Sequence, residues 1–159
     1  MPLETVSRNE AKSGKHKVDV VKADSTAAKE MAKTAESSVK SVAEANEDLT
    51  KAAGKEAVSR AKTQADQATS QAQAQVKAAN DRDSNLFFDN DEVKAAKAHR
   101  DMVKESGKEY VDHVKDEAKA AEKQAKASGK AAVDSAKATT EHVKAKGKAE
   151  VDLAKSTMK

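Results

Sequence analysis

The chain has 159 residues, with no Cys, no Trp, one Tyr, two Phe, and a net charge of +3 from 30 basic and 27 acidic side chains. Zero Cys excludes disulfides, thiolate catalysis and Cys-ligated zinc, and the near balance of charge argues against a basic nucleic-acid tail. Leu, Val and Phe together supply only 21 residues, less than the roughly one-fifth of a chain that an ordinary core needs.

Ala, Glu, Lys, Leu and Arg instead make up 51% of the residues, the composition of long helices and coiled coils. The expected class is all-α: two long amphipathic helical arms joined by an acidic Asn/Asp-rich break. The chain is a strong helix former with little to pack against, so the arms are expected to fold conditionally and to be largely disordered when hydrated, in a layout compatible with a helical hairpin.

Residues 1–12 are polar and unpatterned and read as a flexible N-terminal segment. The opening MPLETVSRNEAKSGK has no apolar signal core, and no stretch approaches 18 apolar residues. The expectation is a cytoplasmic chain; Ser7, Arg8, Lys12 and Lys15 would suit a mitochondrial leader, and the acidic residues beside them count against one.

The first arm is expected over 13–79. Asp24-Ser25-Thr26 offers helix N-cap candidates, and the middle, 62-KTQADQATSQAQAQ-75, has no large apolar residue before Val76. A hinge or turn follows at 80–91, where Asn and Asp compete for the backbone and where Leu86, Phe87 and Phe88 form the most hydrophobic spot in the chain. These three are expected to plug the turn between the arms. Asp89 is placed to cap the next helix, with Glu92 at its third position and Asp91 also in the dipole-favoured first turn.

The second arm, 92–159, carries one narrow apolar row: Val111, Val114, Ala118, Ala121, Ala125, Val133, Ala136, Val143, Val151 and Ala154, with Gly129, Thr140, Gly147 and Met158 in the same line. A mean step of about 3.6 residues keeps the row on one face of a nearly straight helix. This row is the candidate apolar interaction face.

A nine-residue phrase recurs through both arms: 14-GKHKVDVVK-22, 54-GKEAVSRAK-62, 107-GKEYVDHVK-115, 129-GKAAVDSAK-137 and 147-GKAEVDLAK-155. Its Gly lies on the apolar face. Four copies add an i,i+3 pair beside it (Asp19–Lys22, Asp112–Lys115, Asp134–Lys137 and Asp152–Lys155), each contributing about 0.2–0.5 kcal/mol. Each Gly costs about 1 kcal/mol relative to Ala. Three readings account for it: a helix meant to form only under some conditions, close approach of a second helix backbone, or a repeat kept by duplication. The copies begin at irregular intervals, of which only the 22 between Gly107 and Gly129 is two 11-residue units, so the repeat reads as degenerate.

An Ala/Lys/Glu-rich chain without Cys or Trp, with loose 11-residue amphipathic units in 104-KESGKEYVDHVKDEAKAAEKQAKASGKAAVDSAKATTEHVKAKGKAEVDLAKS-156 and more loosely in 14–79, resembles the group 3 late embryogenesis abundant (LEA) proteins. The resemblance implies a chain disordered in water and helical on drying. It implies a non-enzymatic role in desiccation, osmotic or freezing tolerance, with weak and non-specific contacts to client proteins and membrane surfaces. The expectation includes self-association at low water activity. Irregular spacing and the Phe-containing break depart from that pattern. They keep two alternatives open, an apolipoprotein-like lipid-surface binder and a structural coiled coil.

No Gly-rich phosphate loop, Ser-His-Asp set or paired-carboxylate pocket stands out, and His16, His99, His113 and His142 lack metal spacing. The expectation is no catalytic residue, no cofactor, no metal site and no specific nucleic-acid partner. One coincidence is notable. Asp81, Asp83, Asn85, Asp89 and Glu92 fall at the ligand positions of an EF-hand calcium loop, but Leu86 stands where that loop needs Gly. An acidic turn that caps a helix accounts for the same residues.

Overall fold

A computed structural model describes the backbone of residues 3–83 and 90–157, and side chains at 10, 12–82 and 91–157. Two helices account for all of it except Thr157: α1, Leu3–Asp83, and α2, Asn90–Ser156. No strand occurs among the described residues. The chain is all-α.

The helices are long because almost nothing in the sequence interrupts them. Ala, Lys, Glu and Gln have high helix propensity. Among the described residues, nine Lys or Arg ion pairs at i,i+3 or i,i+4 span successive turns, including Lys40–Glu44 at 3.9 Å and Lys119–Asp116 at 3.5 Å. Exposed threonines turn back on their own helix, as where the Thr34 hydroxyl donates to the Glu30 carbonyl at 2.9 Å, which satisfies the hydroxyl at a slight cost to the helix. No glycine has a positive φ; all of the described ones are ordinary helical residues.

Element bounds differ from the sequence expectation in three places. α1 begins at Leu3, so helix covers most of the segment expected to be flexible over 1–12; no Gly or Pro lies between Leu3 and Gly14, and a helix once nucleated extends cheaply. Asp24-Ser25-Thr26 is not a cap. The helix runs through it, Ser25 is buried, and the Thr26 hydroxyl donates to the Lys22 carbonyl at 2.9 Å. At the other end α1 continues to Asp83 rather than stopping at 79, and α2 starts at Asn90. Leu86, Phe87, Phe88 and Asp89 lie outside the described residues.

The chain divides into two compact units. Unit 1 joins 1–45 to 127–159, and unit 2 is the continuous stretch 46–126. Within unit 2, Gly54 lies against Ala118 and Gly107 against Ala65. Within unit 1, Gly129 lies against Ala43 and Gly147 against Ser25. The two residue numbers of every pair add to 172, so each unit is an antiparallel helix pair in a fixed register.

Candidate functional site: a small-residue seam and a lysine-lined groove

Side chains that turn inward in each unit are mostly the smallest available. In unit 2 the close pairs on α1 stand at 54 and 65, and on α2 at 107 and 118, each 11 residues apart. In unit 1 they include 43 on α1 and 129 on α2. The next crossing point, again 11 residues along each helix, is Ala32 and Thr140, where the Thr140 hydroxyl lies 3.3 Å from the Ala32 carbonyl and also donates to Ala136 at 3.0 Å. Eleven residues make three turns of about 3.67, slightly more than the ideal 3.6. The inward positions therefore keep one line on a nearly straight helix.

The spacing between backbones is what the glycines set. A methyl built on Gly54 or Gly107 would sit 3.0 Å from the Cβ of Ala118 or Ala65, and one on Gly129 would sit 3.1 Å from that of Ala43. A methyl on Gly147 would collide with the Ser25 hydroxyl. Packed helices lie about 8–10 Å apart according to the side chains between them, and these contacts draw each pair toward the near end. Of the three readings of the repeated Gly, close backbone approach is the one the geometry shows at these four positions.

The apolar row on α2 faces this seam. Val111 is buried, and eight of the other nine residues, Val114, Ala118, Ala125, Val133, Ala136, Val143, Val151 and Ala154, are half-buried. Ala121 is exposed, a correction to its place in the row; the half-buried residue at that level is Glu122, whose carboxylate stands 4.0 Å from Lys51 of α1. A strict 11-residue step from Val111 leads to position 122, not 121. The side chain there is charged, so an apolar search passes it over.

Sequence reasoning missed the corresponding line on α1. It is populated by Ser25, Glu36, Glu47, Val58 and Thr69, all at 11-residue steps and all at least half-buried. It also missed what flanks the seam. Lysine recurs at 29, 40, 51 and 62 on α1 and at 104, 115, 126, 137 and 148 on α2, without exception at 11-residue intervals. In unit 2, Lys51, Lys55, Lys115 and Lys119 line a groove beside Gly54 and Ala118. In unit 1 a larger groove of about 660 Å³ is lined by Lys22, Lys29, Lys33, Lys144, Lys148 and Lys155, with Asp152 as its one acid and Gly147 in its floor.

Other apolar side chains of α1 point to solvent: Val20, Met31, Val42 and Leu49 are exposed, the first three again 11 residues apart. His113 and His142 are exposed beside the row, with His113 Nε2 3.2 Å from Glu117. Three of the four repeated ion pairs form, at 3.9 Å for Asp19–Lys22, 2.7 Å for Asp112–Lys115 and 3.8 Å for Asp152–Lys155. The hydrogen bond from Lys115, reinforced by its charge and by those of Lys108 and Lys119, holds the Asp112 carboxyl below its ordinary pKa.

Of the EF-hand-like set, Asp81 and Asp83 continue α1 as helix, where a calcium loop would already have left it. Glu92 is paired with Arg82 at 3.2 Å, while Asn85 and Asp89 lie outside the described residues. No group of three metal-ligating side chains occurs among the described residues, and no helix there is long and apolar enough to cross a membrane. Comparisons with protein-family models, with curated proteins and with solved structures find no match.

Proposed function

We propose that this chain is a non-enzymatic stress-protection protein whose helix pairs form and dissolve with water activity. The observation that carries this reading is the seam. The buried apolar residues are Val18, Ala61, Ala72, Val76, Ala79, Val93 and Val111, and no large side chain among the described residues is fully buried. Apolar burial contributes about 25 cal/mol per Å², and Ala and Gly offer little area to bury. Helix pairs held this way are weak in dilute water, where the unfolded backbone is well hydrated.

Removing water changes the balance. Backbone groups that lose solvent partners gain most by closing intrahelical hydrogen bonds. The seam then lets the helices lie close with few apolar contacts to assemble. The outward faces, dense in Lys, Glu and Asp, keep neighbouring macromolecules apart and stand in for part of their hydration. Client proteins and membrane surfaces would be met weakly and without specificity, as the resemblance to group 3 LEA proteins implies.

Circular dichroism in dilute buffer, in trifluoroethanol and after drying tests the reading. Helix content should rise steeply as water activity falls; a chain already fully helical in dilute buffer and unchanged on drying would sink it. The exposed line Val20, Met31 and Val42 favours a second reading, a lipid-surface binder of apolipoprotein type. Strong flotation with fully hydrated liposomes would support that reading over the first.

A further inference from the structure

We propose that the lysine-lined groove of unit 1 binds a compact multivalent phosphate anion, a soluble polyphosphate or polyphosphorylated ester. Six lysines converge on it from two helices: Lys22, Lys29 and Lys33 from α1, and Lys144, Lys148 and Lys155 from α2. Lys22, Lys144 and Lys155 are already engaged, with Asp19, Glu141 and Asp152. Lys29, Lys33 and Lys148 have no ion-pair partner among the described residues. Three uncompensated ammonium groups around one concavity repel one another, and an anion with several charges relieves all three at once.

Shape selects within the class of anions. The groove is cut between two helices, and Gly147, which is buried and has no side chain, lies at its floor. Beside it are the hydroxyls of Ser25 and Thr26. Thr26 is committed to its own helix, whereas Ser25 has no hydrogen-bond partner among the described residues and is free to donate. From Lys22 to Lys33, and from Lys144 to Lys155, each wall runs 11 residues, about 16 Å. That length suits a few linked phosphates rather than a long polymer. A concave site also favours a free anion over a flat bilayer, which would meet the ridges first.

The groove exists only when 1–45 and 127–159 are paired, so the anion would stabilise the paired state by mass action. The inference therefore joins the protective reading at one point: ligand and water loss drive the same folding step. The two fail separately, because helix content without ligand tests the first and the affinity difference between variants tests the second.

The experiment titrates the full chain with inositol hexakisphosphate, tripolyphosphate and inorganic phosphate, by calorimetry and by helix content. Lys29→Gln/Lys33→Gln/Lys148→Gln is compared with Lys77→Gln/Lys97→Gln/Lys123→Gln, which removes equal charge from exposed, unpaired positions in unit 2. The groove variant should lose about tenfold or more in hexakisphosphate affinity, since hydrogen bonds to ionised groups are strong, and the control should change little. Gln keeps the helix propensity of Lys, so both variants retain the parent's helix content without ligand. Equal losses in the two variants would mean diffuse charge attraction and overturn the proposal. So would affinity for tripolyphosphate no better than for inorganic phosphate. Capture by phosphatidylserine vesicles without any hexakisphosphate binding would also overturn it, in favour of a membrane surface.

Discussion

Units 1 and 2 share one register and differ in what fills it. Among the described residues, six of the seven buried apolar ones, Ala61, Ala72, Val76, Ala79, Val93 and Val111, belong to unit 2. Among its described residues unit 1 has one, Val18, together with the buried polar residues Ser25 and Thr140. The same small-residue geometry thus serves two ends. Ala and Val make unit 2 the better-packed pair, while hydroxyls and lysines make unit 1 the looser and more chemically receptive one. Periodicity fixes where two helices meet, and the residue placed at each meeting point decides how firmly.

In concentrated osmolyte, where lowered water activity populates the helix pairs, every test below can be read, and the largest is a charge placed in the unit 2 seam. Val76→Asp buries a carboxylate at a position only 3% exposed and should cost roughly 3 kcal/mol. Hydrogen exchange over 46–126 should accelerate by two orders of magnitude or so, with unit 1 amides much less affected. In the parent chain, amides of unit 1 should already exchange faster than those of unit 2; the reverse order would break the comparison. Next comes Gly54→Leu, which drives a branched side chain into the space of the Ala118 methyl, 3.0 Å from the built Cβ. About 1–3 kcal/mol of overpacking cost is expected, read as a lower melting temperature of the chain, although the same change raises the helicity of an isolated α1 peptide.

Smaller is Thr140→Val, which keeps the shape and removes the hydroxyl that bridges to Ala32. A loss of about 1 kcal/mol, confined to unit 1, should appear in exchange rates around 25–43. The smallest is electrostatic. The folded pKa of Asp112 is depressed, so its ion pair contributes fully above the ordinary aspartate range and is lost as pH falls through the folded value. NMR titration should find the Asp112 carboxyl ionised at acidities where a free aspartate is protonated, and Lys115→Gln should remove most of the difference.

How far the fold could be read beforehand follows from the same contrast. On α2 the row was legible because Val and Gly recur on it, and eight of its ten residues sit half-buried where a period of 3.6 puts them. α1 hides its seam behind Ser25, Glu36, Glu47 and Thr69; an apolar pattern cannot reveal positions whose only requirement is to be small or to bend outward past a neighbour. Ser25 reads as a cap by residue type, because local preference favours caps and turns, and its burial comes from α2, which local sequence does not contain. The lysine ladders were present all along, but they emerge only when residues are compared at steps of 11 instead of by hydrophobicity.

The fixed sum of 172 has a further mechanical meaning. In unit 2, sliding α2 along α1 by one repeat, about 16 Å, would bring Gly54 level with Gly107 and restore the same offset between the two lysine ladders. A seam of this kind behaves as a ratchet with evenly spaced notches, each almost as good as the next. What marks the occupied notch is the short step in sequence from Asp83 to Asn90 and the few contacts between the helices that a slide would break: Lys51 with Glu122 at 4.0 Å, Arg82 with Glu92 at 3.2 Å and Arg100 with Gln73 at 3.4 Å. Weak, exposed and outnumbered, those contacts and the short connection carry the address, and the repeats carry only the grip.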